Sequence, residues 1–272
     1  MTRSETRSGL APTAATASPC ISVVIIAQDE EERIAQAIRS CQGFADEIVV
    51  IDGGSQDTTV QTAETLGCTV YVNPWPGYAR QRNFGAQKAT HAWIFFIDSD
   101  EVVSEELAAS LRNWKKQPVP GVDAFSVYRI GDFLGTWLPK GGYLIRLYNK
   151  EVFSIKEVLV HEEPDVGNAT VGKLPGTLWH HGFRSIEDHV RRFNKYTDLE
   201  AQKAYLAGRK FSWARLLLRP PARFLQKYIV QGLYRKGAAG FAVAGFWSYY
   251  EFLQEMKVYE LHWKNQKPLS GK

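Results

Sequence analysis

The patterned part of the chain opens with Ile21–Ala27 (ISVVIIA), a near-continuous β-branched run. Such a run suits a strand covered on both faces, as in a parallel sheet. Asp29 and Glu32 follow with the spacing of a capping box, Asp29 as the cap. The helix they predict carries Ile34, Ile38 and Cys41 on one face. Glu47–Ile51 (EIVVI) is a second buried strand, Asp57–Leu66 a helix stopped by Gly67, and Thr69–Val72 a short third strand. Tyr78–Ala89 has a helical pattern, Ala92–Ile97 (AWIFFI) is a fourth buried strand, and a helix runs from Ser104 to about Lys116. Strands alternating with helices in this way predict an α/β fold with a doubly wound, mostly parallel sheet. Ligands in such sheets bind beyond the carboxyl ends of the strands.

From Asp123 to Phe153 the pattern changes to antiparallel alternation (DAFSVYRI, YLIRLYN), with Gly131, Gly135, Gly141 and Gly142 in the turns. A polar loop with His161, Glu162 and Glu163 follows, then a short strand near Leu174–His180. Ser185–Trp263 reads as helical, with Pro220–Pro221 separating Trp213–Arg219 from the next helix. There are no internal repeats.

Hydrophobic residues make up 44% and charged residues 23% of the 272, which permits a large buried core. Net charge is +4, too mild to indicate a nucleic-acid partner, and none is expected. The cations gather after Arg184, interleaved with aromatics. Three cysteines, Cys20, Cys41 and Cys68, without a CxxC spacing suggest reduced thiols in a cytoplasmic protein. The first nineteen residues, rich in Thr, Ser and Ala, read as a disordered leader rather than a signal peptide. No run approaches the roughly 20 apolar residues of a spanning helix.

Three strand ends deliver polar groups to one rim: Gln28-Asp29-Glu30-Glu31, Asp52-Gly53-Gly54-Ser55 and Asp98-Ser99-Asp100-Glu101. Charges that end buried apolar runs are costly to leave unpaired, and a metal ion and a ligand's donors are natural partners. In Asp98-Ser99-Asp100, alternate carboxylates can divide two tasks. One accepts hydrogen bonds from a ribose; the other holds Mg²⁺ or Mn²⁺ on diphosphate oxygens. Gly53 and Gly54 allow close backbone approach to a ligand, and Asp52 can accept from a base N–H. Gln81-Arg82-Asn83 offers Arg82 to a diphosphate. The bland readings are a helix-capping acidic loop, a tight turn and a solvated helix charge.

The segments Ile21–Ile34, Glu47–Thr59, Gln81–Ala86 and Trp93–Glu101 together resemble the family 2 glycosyltransferases, which have the GT-A fold. The likeness continues through Arg146–Lys150 (RLYNK), Val160–Pro164 (VHEEP) and LLLRPPARFLQKYI, in a pattern similar to bacterial enzymes that glucosylate the lipopolysaccharide inner core. It implies that Asp52 binds the base, Asp98 faces the ribose and Asp100 holds Mg²⁺ or Mn²⁺ on the donor diphosphate. Gln28, Glu30, Gly53, Gly54, Ser55, Arg82, Asn83, Ser99 and Arg146 complete the expected nucleotide-sugar site. Gln28-Asp29 departs from the Asn-Glu of many members. An inverting transferase needs a base opposite the departing diphosphate; Glu162 is the expected one, His161 its orienting or metal-binding neighbour, and Glu163 and Asp165 its rivals. UDP-glucose is the implied donor. The expected acceptor is a glycan or glycolipid of the cell envelope.

The implied layout is a leader (1–19), a nucleotide-sugar-binding α/β half (20–118), an acceptor-side mixed sheet and loop (119–184), a helical tail (185–265) and a disordered end (266–272). Three explanations of the tail stay open: packing on the core, an amphipathic surface for anionic lipid on the inner face of the cytoplasmic membrane, and homodimerisation. A metal-dependent phosphohydrolase and a non-catalytic nucleotide-sugar-binding protein are the alternative functions. Asp52 lacks the second Asp two residues on that a phosphohydrolase nucleophile would have. Gly167–Lys173 fails as a P-loop, because Leu174 stands where Ser or Thr must hold Mg²⁺. His180, His181 and His189 match no usual zinc spacing, which leaves them structural or on the acceptor side.

Overall fold

The computed structural model describes residues 18–117, 121–156, 163–182 and 185–266. The expected leader up to residue 17, the base candidate Glu162, its neighbour His161 and the end from residue 267 lie outside them. Strands β1 (Ile21–Ala27), β2 (Glu47–Asp52), β3 (Thr69–Val72) and β4 (Trp93–Asp98) form the parallel half of one sheet, in the order β3-β2-β1-β4. All seven residues of β1 are buried, as its unbroken apolar run requires. Helices α1 (Ile34–Cys41), α2 (Thr59–Thr65) and α3 (Tyr78–Lys88) make the crossovers. Gly85 sets how closely α3 rides on the sheet: a Cβ there would stand 2.4 Å from Val24 Cγ1.

The sheet continues past β4 into β8 (Gly142–Asn149), β6 (Ala124–Phe133), β9 (Val171–His180) and β5 (Glu101–Val103). The pairs β4–β8 and β8–β6 are antiparallel, as the alternating sequence predicts, and β6–β9 is parallel. A two-residue strand, β7 (Thr136–Trp137), folds back on β6. The three residues of β5 were not legible as a strand. They leave β4 through a tight turn and pair antiparallel with the end of β9, Glu101 opposite His180. Helix α4 (Glu105–Lys116) follows, capped by Ser104, whose Oγ accepts the Leu107 N–H at 3.1 Å.

Two expectations about helix ends need correction. The first helix begins at Ile34, not at Asp29. Asp29 instead takes a left-handed backbone (φ 53°), and its carboxylate accepts the Gln56 N–H at 2.8 Å. The cap-like spacing thus serves to tie two ligand-side loops together. The second correction is at Pro220–Pro221, where helix α6 (Trp213–Leu225) runs through both prolines. Each proline removes one backbone N–H; contacts with helix α7 (Gly237–Gln266) hold the helix instead. Arg215 and Arg223 pair with Glu255 and Glu251 of α7, and the Ser248 hydroxyl donates to the Pro220 carbonyl at 2.9 Å.

Part of the tail does pack on the core. Leu233, Val243 and Ala244 join Phe133 of β6 in a buried cluster. Helix α5 (Ile186–Leu206) adds His189, 3% exposed, among the rings of Phe133, Phe193 and Phe246. Burial pushes its pKa down to about 4, so the ring is a neutral core group at neutral pH. Cys41 is a buried packing residue, as its helix face predicts, and burial raises its thiol to about 12. The outward face of α6 is apolar: Trp213, Leu217, Leu218 and Leu225 are each more than half exposed. No described helix is long and apolar enough to cross a membrane.

Candidate active site

The ends of β1, β2 and β4 lie side by side, because Ala27 pairs with Asp52 and Ile26 with Asp98. This brings the three predicted strand-end clusters to one rim. Asp52 is 1% exposed. Its Oδ2 accepts the Gly54 and Ser55 N–H groups at 2.8 and 2.9 Å, and its Oδ1 accepts the Ser55 hydroxyl. The carboxylate therefore shapes the loop it begins, with Gly54 in a conformation (φ +101°) that side chains disfavour. The loop is fixed to its neighbour, since the Asp29 N–H donates to Ser55 Oγ and the Glu30 N–H to Thr59 Oγ1, both at 2.8 Å. Gln28, itself exposed, and Trp75 both crowd the position a side chain at Gly53 would take, at 3.2 and 3.0 Å from an added Cβ.

Asp98 receives Arg82 Nη2 at 2.7 Å. Burial alone would raise the Asp98 carboxyl, but Arg82 and Arg146 hold it well below the usual carboxylate range. Arg146 in turn reaches Glu101 at 2.6 Å and lies over the Phe96 ring. Glu101 is fully buried and also receives Arg129 Nε at 2.5 Å and the Asp98 N–H at 3.0 Å. Arg82 and Arg146 thus sit beneath the carboxylates as ion-pair partners. Asn83 exchanges two hydrogen bonds with the Ile155 backbone, at 2.8 and 3.0 Å, and fixes the chain that enters the 157–162 segment.

Asp100 lines a cleft of about 310 Å³ together with Glu32, Arg33, Ser99, Asp132 and His181. It is 8% exposed, with His180 Nε2 3.4 Å from its Oδ2 and Arg33 Nη1 at 3.9 Å. Burial opposes the charged form, yet His180 keeps its carboxyl below the ordinary value. The β5–β9 pairing makes this meeting, and the His181 N–H donates to the Asp100 carbonyl at 2.9 Å. Arg129 and Trp75 carry no role in the sequence reading; His180 appears there only as a structural or acceptor-side residue and Glu101 only as part of a strand-end cluster. The doublet His180-His181 at a strand end was the one signal available. No described residues form a set of three or more His, Cys, Asp or Glu around a metal position. Asp100 and His180 supply one oxygen and one nitrogen, which fits a divalent ion whose remaining ligands come from substrate phosphates and water.

A curled, mostly parallel sheet with carboxylates at its strand ends is the architecture of the GT-A glycosyltransferases. Glucosyl-3-phosphoglycerate synthase from Mycobacterium tuberculosis, solved with Mn²⁺, UDP and glucosyl-3-phosphoglycerate, superposes with a TM-score of 0.51 at 18% identity. That alignment covers 77% of this chain and 88% of the synthase. Residues 22–167 match Glycosyl transferase family 2, and the chain belongs to that family. An uncharacterized glycosyltransferase of Rickettsia typhi is 32% identical over 92% of this chain and 90% of its own length. The lipopolysaccharide core biosynthesis glycosyltransferase LpsC of Rhizobium meliloti is 30% identical over 91% and 95%.

Proposed function

We propose that the protein is an inverting, metal-dependent transferase that moves glucose from UDP-glucose to a hydroxyl of a lipid-linked cell-envelope glycan of the lipopolysaccharide-core kind. The observation that carries the reading is the buried Asp100 carboxylate beside His180 in the wall of the cleft, one residue from Ser99 and two from Asp98. The likeness to LpsC over nearly the whole chain supports the acceptor class.

In this reading Gln28, Asp52 and the Gly53-Gly54-Ser55 loop, with the neighbouring Glu30 segment, form the base and ribose side. Asp98 accepts from the ribose, its charge kept by Arg82 and Arg146. Asp100 and His180 would hold Mg²⁺ or Mn²⁺, which when bound offsets charge on the departing diphosphate. Glu162, with His161 beside it, takes the proton of the acceptor hydroxyl as that oxygen bonds to the anomeric carbon and the bond to the diphosphate breaks. The outward apolar face of α6 rests on the inner leaflet of the cytoplasmic membrane, where a lipid-linked acceptor would be met.

A donor screen that measures nucleotide release with and without Mn²⁺ or Mg²⁺ tests the reading. UDP should be released from UDP-glucose only with metal, and Asp100→Asn should lose at least 100-fold, in keeping with removal of a charged transition-state contact. Release of inorganic phosphate, or full turnover in EDTA, would overturn it.

A further inference from the structure

The cleft contains a carboxylate that the donor chemistry does not use. Asp132, near the end of β6, is 8% exposed. Its Oδ2 accepts the Gly135 N–H at 2.7 Å and closes the turn into β7. Its Oδ1 is buried without a hydrogen-bond partner. The His181 ring comes near, but Nδ1 stops at 3.7 Å. A buried acceptor left unsatisfied costs about 1–3 kcal/mol. Asp132 lines the cleft together with Asp100, so a ligand entering there can bring the missing donor.

Next to this oxygen is an aromatic wall. Trp137 of β7 is the direct cross-strand partner of Asp132, and opposite residues of an antiparallel pair share a face. The Trp137 ring lies 4.6 Å from Trp179 and 5.1 Å from His181. All three rings are half-buried, neither sealed in the core nor fully solvated. The wall is held to the metal end of the site, because His181 is hydrogen-bonded through its backbone to Asp100 and, through its carbonyl, to Arg33 at 2.7 Å.

A flat apolar ring beside an acceptor-only carboxylate is the pairing that suits a sugar. The C–H face of a pyranose covers the aromatic surface, while its hydroxyls donate to the carboxylate. A neutral hydroxyl-bearing group suits this place better than a phosphate or carboxylate, because three carboxylates, Glu32, Asp100 and Asp132, outnumber Arg33 in the cleft. We infer that Asp132, Trp137 and His181 form the acceptor-sugar subsite, which holds a pyranose with its C–H face on the aromatic ring and its hydroxyls toward Asp132. The inference rests on the transferase reading above and deepens it by naming what recognises the acceptor. A site that hydrogen-bonds a hydroxyl rejects the analogue lacking it far more strongly than a purely apolar pocket can.

The test uses the full chain loaded with UDP and Mn²⁺. Methyl glycosides of glucose, galactose, mannose and L-glycero-D-manno-heptose are titrated by saturation-transfer NMR, and UDP–Mn²⁺ affinity is measured separately by calorimetry. At least one glycoside should bind through its ring protons. Trp137→Ala should abolish that signal, Trp137→Phe should retain it, and Asp132→Asn should weaken it at least tenfold. UDP–Mn²⁺ affinity should change less than twofold in all three. Asn still offers an oxygen to the Gly135 N–H, so a purely turn-closing Asp132 would leave glycoside binding intact. The inference is overturned if wild type binds UDP–Mn²⁺ but no glycoside, or if Asp132→Asn and Trp137→Ala bind glycoside as wild type does. Failure of wild type to bind UDP–Mn²⁺ would instead remove the donor reading on which the inference stands.

Discussion

Glu101 offers the sharpest test of how the site is held together. It is fully buried, and its carboxylate is shared by Arg129 at 2.5 Å, Arg146 at 2.6 Å and the Asp98 N–H at 3.0 Å. Glu101→Gln keeps the shape and removes the charge. Arg146 is itself buried, so it would be left with Asp98 at 3.9 Å as its remaining ion-pair contact. Removing one partner of a buried ion pair costs about 3–5 kcal/mol, because the other charge stays desolvated. Against a total stability of roughly 5–15 kcal/mol that is a large share. At about 2–4 °C per kcal/mol, the melting temperature should fall by roughly 6–20 °C. Urea unfolding followed by circular dichroism gives the free energy directly. Arg146→Met removes the stranded charge, so the double variant should be less destabilised than the sum of the two single variants, by about 1–3 kcal/mol of coupling. A Glu101→Gln loss below about 1 kcal/mol, or strict additivity in the cycle, would refute the view that this network is a buried, mutually dependent charge cluster.

Other outcomes follow from single contacts. Gly85→Ala should cost about 1–3 kcal/mol in thermal or urea unfolding despite Ala's better helix propensity, because the new methyl would meet Val24 Cγ1 at 2.4 Å; a neutral result would mean that α3 lifts freely from the sheet. His189 has its pKa lowered to about 4 in the fold, against about 6.5 when unfolded. The unfolded chain therefore binds the extra proton first, so stability contributed by the neutral ring is present above pH 6.5 and is lost as pH falls toward 4. His189→Phe should flatten the unfolding free energy over that window, and an unchanged slope would assign it to other groups. The full chain should co-sediment with liposomes containing anionic lipid at low salt, and Leu217→Asp together with Leu218→Asp should reduce the bound fraction at least fivefold. If wild type remains in the supernatant, the membrane role of α6 is lost.

Much of the parallel half of the sheet was readable from one-dimensional pattern. β1, β2 and β4 are apolar runs that end in carboxylates, and a strand buried on both faces must have that composition whatever surrounds it. The rim bearing Asp52, Asp98 and Asp100 followed from the rule that parallel strands point their ends the same way. Residue types alone did not separate the carboxylates that face the cleft from those that organise it. Asp29 and Glu32 had the spacing of a helix cap, but Asp29 bridges to Gln56 because the adjacent loop supplies a competing donor. Arg82 was legible as a cation at the rim and Arg146 only through the resemblance; that they meet Asp98 and Glu101 was not legible, since which charge meets which depends on chain segments tens of residues apart.

The sequence by itself determined the alternation of buried strands and amphipathic helices, and with it the sheet edge at which acidic groups collect, because periodicity and burial are local properties. Only the tertiary structure decided that three residues after Asp98 would cross to β9 and place His180 beside Asp100. The same long-range packing put Asp132 at the cleft with Trp137 as its cross-strand partner, and carried α6 through two prolines with Arg215 and Arg223 paired to Glu255 and Glu251. Strand pairing between distant segments and ion pairs across helices draw their energy from contacts that do not exist until the chain has folded, so no local pattern could announce them.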